Sequence, residues 1–451
     1  MYFIENVING RILWGTPMLC CIIFVFIFFT IKTKFVQLRG FFDSFKDIFC
    51  KKEKKSGGVS EIEAFFTSLG GSIGTGNITG VLVAILNGGP GSIFWMWFSA
   101  FFGMAVKVCE INTGLQYRVK YNGVYHGGPM YYMERGLNGK CKILSKVFCA
   151  ATVLVSFGMG NIVQTNAVVS SAEALFDVNM FFRIIAGIFL SILIYKLLGG
   201  GIKQTGKLSA MLVPIMSITY MFLCVCVILR CHNYFFDAIK SIFLSAFNVR
   251  SIHGAVTGLS LKKVISTGVS KGIFSNEAGL GTAAIVHSGV DDKKQSGLAG
   301  ITEVFFDTFV ICSLTAFALL SCEKAGFILF SSASPIVIAE MFSCVFPEIL
   351  SRIFVCVSLI FFAFSSVLPW GCYGMAAFEY MFSSGYNGVY RTLFALCAFL
   401  GAILNVRNVW IISDAFNALM FIPNIFALLI IVNKKVPIDD KNIVKSVELL
   451  F

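Results

Sequence analysis

The sequence predicts an all-α polytopic membrane protein of about eleven membrane-crossing helices, two of them discontinuous. Three observations carry this. Of 451 residues, 57% are hydrophobic and only 13% charged, with a mean hydropathy of +0.82; a soluble domain carries roughly 25% charged residues. Apolar runs of about 20 residues, the length that spans a bilayer, recur along the chain with short connectors between them. Lys and Arg concentrate in alternate connectors, which is the positive-inside pattern. A chain so poor in charge cannot keep a large surface wet, so lipid replaces the missing water. The 48 Phe suit lipid-facing helices. No stretch reads as a soluble domain, and a single membrane domain over 1–451 is expected.

The first apolar run, about 11–31, follows ten residues that hold Glu5 and neither Lys nor Arg. No small-x-small cleavage site follows it, so it is expected to remain as a helix. The other spans are expected at about 62–87, 91–117, 144–176, 181–199, 208–230, 264–289, 297–321, 350–380, 390–405 and 409–432. The piece at about 334–346 is too short to cross and reads as an interfacial or loop helix. With the N-terminus outside, about two-thirds of the 36 Lys and Arg fall in the inside connectors and the tail. The first of these holds Lys32, Lys34, Arg39, Lys46, Lys51, Lys52, Lys54 and Lys55. The long outer connector, 231–263, keeps several basic residues, which long loops tolerate. The C-terminus is then inside. The net charge of +12 follows this topology rather than a nucleic-acid-binding face.

Two spans are dense in helix breakers. One reads Leu69-Gly70-Gly71-Ser72-Ile73-Gly74-Thr75-Gly76-Asn77-Ile78-Thr79-Gly80, the other Lys271-Gly272-Ile273-Phe274-Ser275-Asn276-Glu277-Ala278-Gly279-Leu280-Gly281-Thr282. Gly costs about 1 kcal/mol in a helix interior, and lipid supplies no partner for freed backbone groups. A span therefore breaks only where it lines a cavity or meets a ligand. With the first span set aside, the breaks open two groups of five spans, 62–230 and 264–432. Groups of odd number inserted in series have opposite topology, the arrangement of an inverted repeat with discontinuous helices. Gly71 to Gly76 superficially resembles a phosphate loop, but no βαβ unit surrounds it. Half-helix N-termini suit a substrate carboxylate; unwound carbonyls and half-helix C-termini suit Na⁺ and a substrate ammonium. Close packing through small residues is the competing explanation.

Further candidates lie inside spans. Glu277 is a carboxylate near mid-membrane that would neutralise Lys271 or a helix end, or sense ions. Gln164 sits among Asn161, Thr165 and Asn166; its amide is either a ligand contact or interhelical glue, and Asn161 and Asn166 read as glue. Ser365 and Ser366 offer adjacent hydroxyls for a cation site built on backbone carbonyls, and Trp370 would wall a small pocket or serve packing. Glu303 and Asp307, at i and i+4 on one face, would form a proton or cation relay or a polar helix end. Lys107 and Glu110 are placed to pair at i, i+3. The 15 Cys show no CxxC pair and read as packing residues, and the four His show no metal-ligand spacing. An enzyme is not expected. A channel would repeat a short filter about a symmetric pore, unlike two dissimilar breaks.

The chain resembles the alanine or glycine:cation symporter family, the bacterial and archaeal sodium:alanine symporters. The resemblance rests on Gly74-Thr75-Gly76-Asn77-Ile78, Gly88-Gly89-Pro90-Gly91, Phe94-Trp95-Met96-Trp97, Gly127-Gly128-Pro129-Met130-Tyr131-Tyr132, Gly200-Gly201-Ile202-Lys203, Phe274-Ser275-Asn276-Glu277-Ala278-Gly279, and Asn417-Ala418-Leu419-Met420 with Ile422-Pro423-Asn424. It implies eleven helices with a leucine-transporter-like core, in a multi-pass protein of the bacterial inner membrane. Alanine or glycine is the implied substrate, Na⁺ or H⁺ the coupling ion, and no cofactor is implied. It implies substrate contact by Thr75, Gly76, Asn77, Gln164, Phe274, Ser275, Asn276 and Trp370. The implied Na⁺ site is backbone from Gly70 to Ile73 with Ser365 and Ser366, and Glu277, Glu303 and Asp307 remain as possible coupling carboxylates. An H⁺-coupled or uncoupled carrier is the alternative, ahead of a channel or a non-transporting amino-acid sensor.

Overall fold

A computed structural model describes residues 15–49, 59–121, 123–139, 141–247, 261–290, 297–330, 334–404 and 406–433, without the side chains of 174 and 406–415. Lys51, Lys52, Lys54 and Lys55, the loop at 291–296 and the basic tail lie outside the described residues, as does most of 248–263. The first helices are α1 (Thr16–Lys32), α2 (Val36–Arg39), α3 (Phe41–Phe49), α4 (Glu61–Ser72), α5 (Thr79–Gly88) and α6 (Gly91–Tyr117). A hairpin of β1 (Val119–Tyr121) and β2 (Val124–His126) follows, paired antiparallel with Lys120 opposite Tyr125. Then come α7 (Pro129–Gly136), α8 (Lys142–Phe157), α9 (Val163–Ser171), α10 (Met180–Leu198), α11 (Gly201–Arg230) and α12 (His232–Phe247). The second half holds α13 (Leu261–Asn276), α14 (Thr282–His287), α15 (Ala299–Val304), α16 (Ser313–Lys324), α17 (Pro335–Ser343), α18 (Glu348–Phe382), α19 (Asn387–Ile403) and α20 (Val406–Asn433).

Helix or broken helix thus occupies each of the eleven expected segments, and α17 is the short helix expected near 334–346. Among the described residues, seven helices are long and apolar enough to cross a bilayer unaided. The breaks fall within the two breaker-rich stretches, between α4 and α5 and between α13 and α14. Two further spans stay helical but underwind. α8 and α9 join through a π-helical turn at Gly158–Ile162, and α15 and α16 through one at Phe305–Cys312. Such i→i+5 bulges collect at functional sites.

Two connectors hold structure that periodicity did not reveal. The connector 118–143, expected inside, forms the β-hairpin and α7. The connector 231–263, expected outside, contains α12, which packs on α6 and α16. Asp237 and Lys240 interrupt its apolar run, so it falls short of a span, yet Ala238, Ile242, Ser245 and Ala246 are buried. Trp95 Nε1 donates to Ala246 O at 3.2 Å.

Burial separates centre from rim. In α6, 67% of the apolar window is buried, against 22% in α10. α6 packs on α1, α12, α13, α14 and α15 and is the hub of the bundle. α10 pairs with α19 at the edge and turns Phe181, Phe189 and Ile192 outward, an apolar surface that belongs against lipid.

Gly91 lets α12 close on α6, because a Cβ there would fall on the backbone of Ser245. Gly91→Ala is expected to lower the apparent melting temperature in detergent, with an overpacking cost of about 1–3 kcal/mol. Gly388→Ala, where a Cβ meets open space, is expected to leave it unchanged or slightly raised. Equal melting temperatures would show that α12 is not seated as described.

Candidate functional site

A capping box starts the first broken helix: Ser60 Oγ accepts from Glu63 N–H and the Glu63 carboxylate accepts from Ser60 N–H. The helix stops at Ser72, and Thr75–Asn77 form a single 3-10 turn before α5. Side chains from distant helices satisfy the freed backbone. Thr75 donates to Gln164 Oε1 through both N–H (3.2 Å) and Oγ1 (2.9 Å). Asn77 Oδ1 accepts from Gly74 N–H at 3.0 Å, and Asn77 O accepts from Thr315 Oγ1 at 2.9 Å. Gln164 lies two residues past the π turn of the α8–α9 span, which helps aim its amide at the break.

The second break is built from left-handed backbone: φ is +57° at Glu277, +93° at Gly279 and +77° at Gly281. Only Gly adopts this freely, so the strain is confined to Glu277. Asn276 Oδ1 accepts from Ala278 N–H at 3.1 Å, and Asn276 O accepts from Lys107 Nζ at 3.0 Å. Asn424 Nδ2 bridges Gly279 O (2.9 Å) and Glu110 Oε1 (2.5 Å), while Tyr132 OH donates to Asn424 Oδ1. The Gly279 and Gly281 amides face the Glu110 carboxylate.

The two breaks meet. Gly76 packs so closely on Phe274 that a Cβ would lie 2.9 Å from its ring. Asn77 Nδ2 reaches Ser275 Oγ at 3.2 Å, and both converge on Asp307: Asn77 Nδ2 to Oδ1 at 2.7 Å and Ser275 Oγ to Oδ2 at 2.8 Å. Thr308 adds a third donor at 2.7 Å. Trp370 packs on Gly160, one turn before Gln164. Its indole N–H faces the Glu277 carboxylate, although neither Trp370 Nε1 nor Glu277 Oε1 completes a hydrogen bond.

The oxygens of the expected cation site also converge. Ser365 Oγ lies 3.0 Å from Ile73 O, and Ser366 Oγ lies 3.0 Å from Gly71 O. A Cβ on Gly70 would lie 2.9 Å from Ser365 O. α4 and α18 are therefore joined where α4 ends, by neutral oxygens of the kind hard cations take.

Two sequence expectations need correction, and a third, the role of Glu277, resolves to one of its expected alternatives. Lys107 does not pair with Glu110. Its Nζ lies 3.0 Å from Glu303 Oε2, both side chains are wholly buried, and Glu110 turns to Asn424. Glu303 and Asp307 do not form one face, because the π turn begins between them and shifts the register. Glu303 instead takes Lys107, His287 Nε2 (2.6 Å) and Ser68 Oγ (2.7 Å). Glu277 meets a helix end, accepting from Thr282 Oγ1 at 2.6 Å where α14 starts, whereas the Lys271 ammonium lies over the Phe274 ring. Asn161 and Asn166 are interhelical glue as expected, bonding to Phe394 O (2.5 Å) and Gly401 O (2.8 Å). Sequence reasoning missed His287, 16 residues from its partner Glu303 and without spacing to betray it. A lysine alone in mid-span was the available signal for the cluster.

The sequence model of the sodium:alanine symporter family matches residues 1–441. The chain is 37% identical over 435 residues to the sodium/alanine symporter AgcS of Methanococcus maripaludis, covering 94% of each chain. It is 33% identical over 414 residues to the amino-acid carrier protein AlsT of Bacillus subtilis, covering 90% of this chain and 85% of that one. A crystal structure of MhsT in complex with L-phenylalanine shares the fold, with a TM-score of 0.62 and 15% identity over 84% of this chain and 89% of that one. The fold is thus the all-helical, leucine-transporter-like class, embedded in a membrane as a multi-pass protein. The chain belongs to the sodium:alanine symporter family.

Proposed function

We propose that this protein is a secondary active symporter that imports a small neutral amino acid, alanine or glycine, together with Na⁺ by alternating access. The observation that carries the reading is the meeting of two unwound segments from sequence-distant helices around Thr75, Gly76, Asn77, Phe274, Ser275 and Asn276, with Gln164 and Trp370 beside them. Half-helix ends there can hold a substrate carboxylate and ammonium with dipoles alone. The tight seat of Gly76 on Phe274 favours a substrate with little side chain. Na⁺ would replace the Ser365 and Ser366 hydroxyl protons as the partner of the Ile73 and Gly71 carbonyls. It would thereby fix α4 to α18 and order the substrate site. The basic connectors favour an N-terminus outside and a C-terminus inside, and a bacterial inner membrane suits this arrangement.

H⁺ coupling is the second reading, and Asp307 favours it. Its carboxylate is fully buried and bonded to one residue of each break. Loading and unloading a proton there would reset both segments together.

The decisive assay is uptake of labelled alanine and glycine into proteoliposomes, under an inward Na⁺ gradient and under choline at matched pH. Concentrative uptake only with Na⁺ is expected. Uptake driven by a pH gradient alone would transfer coupling to Asp307, and binding without flux would sink the transport reading. Ser365→Ala with Ser366→Ala is expected to weaken apparent Na⁺ affinity at least tenfold, or about 1.4 kcal/mol, read from the Na⁺ dependence of uptake. Gly76→Ala is expected to cut alanine uptake more than glycine uptake, since the new methyl competes for space at Phe274. Equal losses for both substrates would place the side-chain pocket elsewhere.

A further inference from the structure

Away from the breaks, three cysteines converge from three elements. Cys231 follows α11, Cys322 lies in the last turns of α16, and Cys344 follows α17. Cys322 Sγ lies 3.6 Å from both Cys231 Sγ and Cys344 Sγ, and all three sulfurs lie within 4.8 Å of one another. The sequence offers no hint of this, because the members stand 91 and 22 residues apart.

We propose that Cys231, Cys322 and Cys344 form a three-thiolate binding site for a thiophilic d10 cation of the Zn²⁺ class. Thiolates 2.3 Å from a tetrahedral zinc ion sit about 3.8 Å from each other, so two of the three edges already match and the third closes by a small side-chain rotation. Chance packing of small residues does not require three thiols to share a point. A disulfide would use two and strand the third. The site also has an access path, a requirement for a metal site. Cys344 is half-buried and lines a cavity of about 530 Å³. Glu173, Glu340, Glu348 and Arg352 line it too, so carboxylates outnumber cations along the path. The cavity leaves room for water as a fourth ligand. Binding would release the three thiol protons through the cavity to bulk solvent and leave one net negative charge, next in sequence to Arg230. The bound ion would staple α17 to the ends of α11 and α16, fixing the hairpin between α16 and α18.

The test uses the full chain, purified in detergent with reductant that is then removed without air. Cd²⁺ serves as the probe. An ultraviolet thiolate-to-cadmium charge-transfer band is expected to saturate at one equivalent per chain. It is expected to vanish when Cys231, Cys322 and Cys344 are all replaced by Ser. The other cysteines remain in that variant, so the difference isolates this site. Cys344→Ser alone, at a half-buried position, is expected to weaken Cd²⁺ binding at least tenfold, and it carries the test if the triple variant does not fold. Zn²⁺ is expected to raise the melting temperature of the unaltered protein and not of Cys344→Ser. An unchanged Cd²⁺ titration in either variant would overturn the proposal. So would peptide mapping that finds a Cys231–Cys322 or Cys322–Cys344 disulfide in protein purified without reductant.

Discussion

Backbone satisfaction in lipid is the constraint on which the rest of this structure depends. An unpaired N–H or C=O costs several kcal/mol in hydrocarbon, so α4 and α13 can stop in mid-bundle only if other helices answer their freed groups. Gln164, Ser365, Ser366 and Thr315 do so for the first break; Lys107 and Asn424 do so for the second. These six residues arrive from five helices, α6, α9, α16, α18 and α20. The breaks are therefore not loose points but held from several helices at once, and moving one of these helices changes the polar environment of the break it serves.

The buried charges follow the same logic at higher stakes. A buried ion pair gains little over apolar packing, yet losing one partner costs about 3–5 kcal/mol. Lys107, Glu303, His287 and Ser68 tie α6, α15, α14 and α4 into one cluster, and the Lys107 ammonium also holds the carbonyl that ends α13. The hub helix α6 thereby reaches both breaks. Asp307 does the complementary work from the next span segment, receiving Asn77 from one break and Ser275 from the other. Two carboxylates four residues apart so serve different partners, because a π turn separates them.

Much of the fold was legible in the sequence. Hydropathy located the helical segments, seven of which among the described residues are long and apolar enough to cross a bilayer, because apolar length is a local property of the sequence. Glycine density located the breaks, because the cost of Gly in a helix is local. The amides Asn161 and Asn166 read as glue for the same reason, since a polar group in a span must bond across to a neighbour. Local rules failed where a partner lies far along the chain. Lys107 looked paired with Glu110 by spacing alone, but residues three apart on a helix point some 60° from each other, and α15 and α20 each supplied a better-aimed partner. α12 was hidden because two charges shorten its apolar run, although its inner face buries Ala238, Ile242, Ser245 and Ala246.

The sequence by itself determined the class of protein, the approximate spans and the two places where helix gives way, since hydropathy and helix propensity act over a few residues. Only the tertiary structure decided that the breaks face each other, that Asp307 joins them, that His287 meets Glu303 and that three cysteines share a point. These are meetings between residues up to 230 apart along the chain, set by how the helices pack, and no local pattern encodes them.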